Sequence, residues 1–249
     1  MIITPDIMLE VCTDSVAGAL TAQSSGACRI ELCAGLPEGG TTPSPAQIRK
    51  VRELLHIGLH VLIRPRGGDF LYDDAEFEIM QSDIRFCGES GCDGIAVGML
   101  RPDGTVDKQR CGELIRTAHQ YSMSVTFHRA FDRSADLPCA MEDVIEMGCR
   151  RILTSGGCNT AMEGAEIIRR LAEQAGNRII IMPGAGITPE NAKELIAKTG
   201  LKEMHGTFRS YCPGAMRYRN TQLAGQAAEY GLSTADAKKI KTIINLHVS

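Results

Sequence analysis

Nowhere in the 249 residues is there an apolar run approaching the 18 that a membrane helix needs. The most strand-like apolar stretch, Ile179 to Met182, stops at Pro183. The N-terminus has no basic segment leading into an apolar one, and Asp6 and Glu10 interrupt it, so no secretory signal is expected. Positive charge is not in excess: the net charge is −3, which leaves nothing to neutralise a phosphate backbone and argues against nucleic acid as a partner. Short basic clusters such as Arg169-Arg170 and Lys238-Lys239 read as solvated helix faces. No Cys-x-x-Cys pair occurs among the ten cysteines, so a zinc ribbon is not indicated. Without an export signal, the cysteines are expected in a reducing cytoplasm, mostly as small buried apolar side chains rather than a disulfide framework.

What is present is a repeat. A helix-like stretch, a glycine and a short apolar strand recur at Gly26, Gly58, Gly91, Gly148, Gly176 and Gly200. The interval from Gly91 to Gly148 is about twice its neighbours and hides one unit that begins at Ser122 instead. Glycine just past a helix end suits the left-handed cap. Helix starts are expected at Ser44-Pro45-Ala46-Gln47, written as a capping box, and at Thr188-Pro189-Glu190. Eight strands follow, over 8–12, 29–33, 59–65, 94–99, 124–129, 151–155, 179–183 and 203–207. Strict strand–helix alternation implies a parallel sheet, and eight units in one domain spanning 1–249 imply an α/β fold, a single (β/α)8 TIM barrel. A doubly wound open sheet would want a glycine fingerprint after the first strand, where Thr13-Asp14-Ser15 stands.

Side chains alternate along a strand, and the face packed on helices must be apolar. Leu9 and Val11 therefore face out and Glu10 and Cys12 in; Ile30 and Leu32 face out and Glu31 and Cys33 in. The same rule sends His60, Leu62 and Arg64 inward, with Arg66 inside or at the rim, and adds Thr126 and His128; polarity places Thr154, Glu203, His205 and Thr207 inward as well. An ordinary barrel interior is filled with Val, Ile and Leu. Burying these charges instead costs several kcal/mol each unless they are paired. Glu10 and Glu31 are expected to pair with Arg64 and Arg66. Cys12 and Cys33, inward on strands about 4.8 Å apart, form a soft pair that suits Cu(I), or else simply line the pocket. The turn Pro183-Gly184-Ala185-Gly186-Ile187-Thr188 is either a tight turn or an anion site built on Gly184 and Gly186.

Several runs together resemble the CutC family of copper-homeostasis proteins. They are Leu9-Glu-Val-Cys12, Ala19 to Gln23, Arg29-Ile-Glu-Leu-Cys-Ala34 and Glu38-Gly-Gly-Thr-Thr-Pro43. Ile63-Arg-Pro-Arg-Gly-Gly-Asp-Phe70 and Val125-Thr-Phe-His-Arg-Ala-Phe-Asp132 follow, with Leu153-Thr-Ser-Gly156, Gly184-Ala-Gly186, His205 and Met216-Arg-Tyr-Arg-Asn220. The resemblance implies a cytosolic, single-domain barrel forming a homo-oligomer, dimer or tetramer. Cys12 and Cys33 would be its Cu(I) ligands. Pro183, where the family would have Ala, and Gly206-Thr207-Phe208, where it would be Ser-rich, depart from the pattern. The segment 206–232 is a candidate subunit contact. A second functional reading remains open: an enzyme on a small phosphorylated or carboxylated anion, held by Arg64 and Arg66, with His128 or Glu10 moving a proton.

Overall fold

A computed structural model describes residues 7–220, 222 and 230–246. Eight parallel strands form one sheet: β1 (Met8–Thr13), β2 (Arg29–Leu32), β3 (Gly58–Leu62), β4 (Gly94–Val97), β5 (Ser124–Phe127), β6 (Arg151–Thr154), β7 (Ile180–Pro183) and β8 (Glu203–Gly206). Their order is β7-β6-β5-β4-β3-β2-β1-β8, and β7 and β8 lie side by side across the remaining seam. This is the expected (β/α)8 barrel, with the helices outside.

Local chemistry explains the helix boundaries. Ser15 accepts from Gly18 N at 3.1 Å ahead of α1 (Val16–Ser24), and Ser44 accepts from Gln47 N ahead of α2 (Pro45–Leu54), where Pro45 occupies the first helical position. The reciprocal capping box lies at α3 (Asp74–Glu89) instead, where Asp73 and Glu76 each accept the other's backbone N–H. α4 (Lys108–Gln120), α5 (Leu137–Glu146) and α6 (Ala165–Ala175) complete the β3-to-β7 connections. The helix expected from Thr188 becomes regular only at α7 (Ala192–Thr199), because Asn191 Oδ1 accepts from Thr188 N and closes a turn first. α8 (Ala237–Ile244) follows a hairpin of β9 (Arg209–Pro213) and β10 (Gly231–Ala235), so segment 206–232 is a hairpin in part and lies outside the described residues in part.

The repeat holds in backbone terms. Gly26, Gly91, Gly148 and Gly200 follow helices with positive φ, and in the hidden unit Ser122 takes φ 58°, the left-handed conformation without a glycine. Gly58 is different. It opens β3 with ordinary φ, and a Cβ there would press on the Arg29 side chain at 3.2 Å.

The apolar residues divide as strand parity requires. Leu9, Val11, Ile30, Leu32, Val61, Ile63, Val125 and Phe127 belong to the large layer shared with the helices. Inside the barrel the apolar cluster shrinks to Cys12, Cys33, Leu62 and Ala96, backed by Leu36. Polar side chains take much of the rest of the interior, along with Met182 against Arg29 and Leu153 on the cavity wall.

Candidate metal and ligand site at the barrel mouth

The lower interior is an ion-pair chain. The β1 register sets Glu10 beside Arg29 on β2 and His205 on β8. Arg29 Nε donates to Glu10, and Arg29 Nη2 reaches Glu203 Oε1 at 2.7 Å; Arg151 Nε closes on the same Glu203 oxygen. Two carboxylates and two guanidiniums thus cancel, as a poorly solvated site demands, but the partners differ from those expected. Glu10 does not meet Arg64. β3 ends at Leu62, and Arg64 lies past it, turned into the loops, where Nη1 donates to Glu38 O (3.0 Å) and Gly40 O (2.9 Å) and Nη2 to Gly68 O (2.7 Å). Arg66 is not a pocket residue: its side chain is 41% exposed, pairs with Glu76 and Asp69, and lies over Tyr72.

Burial pushes the Glu10 carboxyl up, but Arg29 and the hydrogen bond from His205 outweigh it, and Glu10 stays well below the usual carboxylate range. Burial likewise raises Glu31, helped by the Glu10 charge, and here His205, Cys12 and Arg29 do not outweigh it. For His205, burial favours the neutral ring, and Glu31 and Glu10 together overcome it and raise its pKa. His205 Nδ1 lies 2.7 Å from Glu10 Oε1, and Nε2 lies 3.8 Å from Glu31 Oε2.

Above this chain opens a cavity of about 620 Å³, on whose lining stand Cys12, Glu31, Arg64, His128, Gly186 and His205. Ligand atoms of Cys12, Glu31 and His205 all lie within 4.8 Å of one another, and Cys12 Sγ is 3.5 Å from Cys33 Sγ. The contact with Cys33, together with burial and the nearby Glu31, raises the Cys12 thiol pKa. Glu10, Thr126 and Thr154 point inward but sit below the cavity wall, and Thr154 Oγ1 is committed to Asp132. Of the two turn glycines, Gly184 spends its amide on Thr154 O at 2.9 Å, and Gly186, with φ 70°, borders the cavity. Of the two proton-transfer candidates, Glu10 is 1% exposed and tied to Arg29 and His205. His128 Nδ1 accepts Ala130 N–H at 3.1 Å, and burial followed by Arg64 pushes the ring's pKa down to about 3. Near neutral pH its Nε2 therefore carries a hydrogen to donate, not a lone pair to accept one.

Three residues that organise the site were not singled out from sequence. Arg29 and Arg151 build the ion-pair chain. Asp132 collects hydrogen bonds from Thr154 Oγ1, Ser155 N, Ser155 Oγ, Gly157 N and Arg129 Nε, pinning the loop after β5 to the loop after β6. Arg29 was findable, since it shares the inward parity of Glu31; Asp132 carried no such spacing signal.

Taken together, the strands and helices define a TIM barrel whose mouth carries Cys12, Glu31 and His205 with donor atoms within 4.8 Å of one another. The chain belongs to the CutC family, whose model matches residues 7–210. It is 44% identical to the human "Copper homeostasis protein cutC homolog" over 95% of this chain and 87% of that one. It is 46% identical to a "family protein CutC" of Xylella fastidiosa over 96% and 88%. The crystal structure of the "Putative Copper Homeostasis Protein CutC" from Streptococcus agalactiae superposes with a TM-score of 0.77 at 35% identity, covering 81% of this chain and 98% of that one. Phosphoribosylanthranilate isomerase from Thermotoga maritima, at 13% identity and a TM-score of 0.56, shares the fold alone.

Proposed function

We propose that this chain is a cytosolic copper-homeostasis protein that takes Cu(I) as cargo at Cys12 and Cys33, with His205 as a third donor. The observation behind this reading is the donor set itself: two thiols in contact, an imidazole nitrogen beside them, and a carboxylate hydrogen-bonding the far side of that imidazole. Thiols and imidazole suit Cu(I). Glu10 at His205 Nδ1 is the carboxylate–histidine arrangement that aims a ring nitrogen at a metal. Glu31 Oε1, buried and without a partner, fits a position at the edge of a positive ion. Copper entering here displaces the protons of the Cys12 and Cys33 thiols and the proton that Glu10 and Glu31 hold on His205, so affinity rises with pH. Reduced thiols require the reducing compartment.

The test is a Cu(I) titration against a competing chelator under reducing conditions. Wild type should bind one ion per chain, the Cys12→Ser/Cys33→Ser double variant should lose at least a hundredfold in affinity, and His205→Ala should lose about tenfold, in the range seen when groups around a metal are altered. Equal affinity for wild type and the cysteine double variant would move copper to another of the ten cysteines. Assembly as a dimer or tetramer belongs to the same proposal, supported by Met216, Tyr218 and Leu232, which stand exposed on and beside the β9–β10 hairpin. Sedimentation of the wild type as a monomer would remove that part. Of the two arginines the enzymatic reading expected to hold an anion, Arg66 is spent on Glu76 and Asp69 while Arg64 remains at the cavity, as does His128, one of its two proton-transfer candidates.

A further inference from the structure

Buried hydrogen-bonding atoms normally have partners, and an orphan among them asks for a ligand. Two orphan donors belong to residues on the cavity wall. The first is Arg64 Nε, buried with no partner in a residue 5% exposed. Its Nη atoms bond to the carbonyls of Glu38, Gly40 and Gly68, which accept hydrogens but supply no countercharge, and the Tyr72 hydroxyl, which also interacts with Arg64, is neutral. Of the carboxylates that follow it in sequence, Asp69 and Glu76 are taken by Arg66, Asp73 caps α3 and Asp74 pairs with Arg110, and among the described residues no carboxylate pairs with Arg64. A buried guanidinium without an anion is the costly arrangement that proteins avoid unless something else brings the charge.

The second is His128 Nε2, also buried and unpartnered in a residue 4% exposed. Because Nδ1 accepts the Ala130 N–H, the neutral ring keeps its hydrogen on Nε2. Phe70 holds the two donors together: its ring centroid is 5.1 Å from that of His128, and the Arg64 guanidinium lies 5.0 Å over it.

We propose that the cavity binds a small organic carboxylate, its oxygens taken by Arg64 Nε and His128 Nε2 and its apolar body laid against Phe70, Leu36 and Leu62. A carboxylate accepts only, and two donors with one unmatched positive charge call for an acceptor carrying one negative charge. Inorganic phosphate fits less well. It brings more charge than Arg64 offsets and has no apolar part for a wall of Leu36, Leu62, Phe70, Leu153 and Phe208. The other cations on the lining face carboxylates of their own: Arg129 pairs with Asp132, Arg209 with Asp14, and Lys239, whose Nζ donates to Arg209 O, acts electrostatically on Glu190 and Asp236. A volume of about 620 Å³ is that of a small-molecule site, with ample room beyond a metal ion. The proposal does not rest on the copper reading: its donors come from beyond β3 and β5, and the soft cluster from β1, β2 and β8.

The experiment is calorimetric titration of copper-free protein with butyrate, 2-oxobutyrate and benzoate. Butyramide and benzamide serve as neutral matches and inorganic phosphate as the rival anion. The same series on Cys12→Ser/Cys33→Ser separates this site from the metal cluster, because carboxylate affinity should survive there. At least one carboxylate should saturate and bind at least tenfold more tightly than its amide and than phosphate. His128→Phe, which keeps the ring against Phe70 and removes the donor, should weaken it about tenfold. Arg64→Met should abolish binding; should that variant fail to fold, the amide pairs and His128→Phe decide. No saturation by any carboxylate, tighter binding of phosphate, or unchanged affinity in His128→Phe would each overturn the proposal.

Discussion

Replacing Arg29 by methionine should lower the unfolding free energy by about 3–5 kcal/mol, the usual cost of leaving a buried charge without its partner. Arg29 and Glu10 have side chains only 6% and 1% exposed, so water cannot take over the lost interaction. Glu10→Gln should cost a comparable amount, since it strands Arg29 with Glu203 alone and removes the anchor of His205. The double variant should recover at least about 1 kcal/mol of the summed losses, because contacting charges couple. Full recovery is not expected, as Glu203 would still face Arg151 with half its partners gone. Pairing Glu10→Gln with Arg64→Met is the control: the two do not meet, and their losses should add. Urea midpoints on the five variants read all of this. Strict additivity of Glu10→Gln with Arg29→Met would mean that the ion-pair chain does not contribute as a unit.

That pair also shows where sequence reasoning reaches its limit. Strand parity is local, so Cys12, Glu31 and Thr126 were placed inward from their apolar neighbours and Thr154 and His205 from their own polarity. The fold was legible for a similar reason, since each unit's helix end and strand start are encoded within a few residues, down to the left-handed Ser122 that replaces a glycine. Partnership is not local. Which inward carboxylate meets which inward guanidinium depends on the stagger between strands, and the register that sets Glu10 opposite Arg29 and His205 is visible only in the closed barrel. Arg64 and Arg66 follow the end of β3, where parity no longer governs direction: one turned to loop carbonyls and the other to solvent. The capping box at Asp73 and Glu76 was readable from spacing, whereas four of the five donors on Asp132 reach it only when two loops come together.

The second large effect concerns acid. His128 titrates at its ordinary 6.5 when unfolded, and its folded value is about 3, because burial and then Arg64 disfavour the imidazolium. A folded value below the unfolded one means that the unfolded chain binds the proton first, so stability contributed by His128 is fully present above pH 6.5 and drains away as pH falls toward 3. The slope is about 1.4 kcal/mol per pH unit and the total about 3–5 kcal/mol. His60, lowered to about 4 chiefly by burial, acts in the same direction over the upper part of that window. Glu10 adds to the loss below its ordinary 4.5, since its folded value is depressed as well. His205 opposes them: its raised value contributes stability below 6.5 that is lost as pH climbs through the folded value. His128→Phe removes one of these contributions and leaves the others. Its absolute stability will shift, as Ala130 N–H loses its acceptor, so the informative quantity is the gradient. Between pH 6 and pH 4, urea midpoints of His128→Phe should fall less steeply than those of wild type, by about 1.4 kcal/mol per pH unit once converted to free energy. The series needs carboxylate-free buffers, because an anion seated between Arg64 and His128 would favour the imidazolium and flatten the wild-type curve too. Parallel curves for the two proteins would mean that His128 is protonated as readily in the folded chain as in the unfolded one, and the neutral, donating imidazole at the cavity wall would have to be given up.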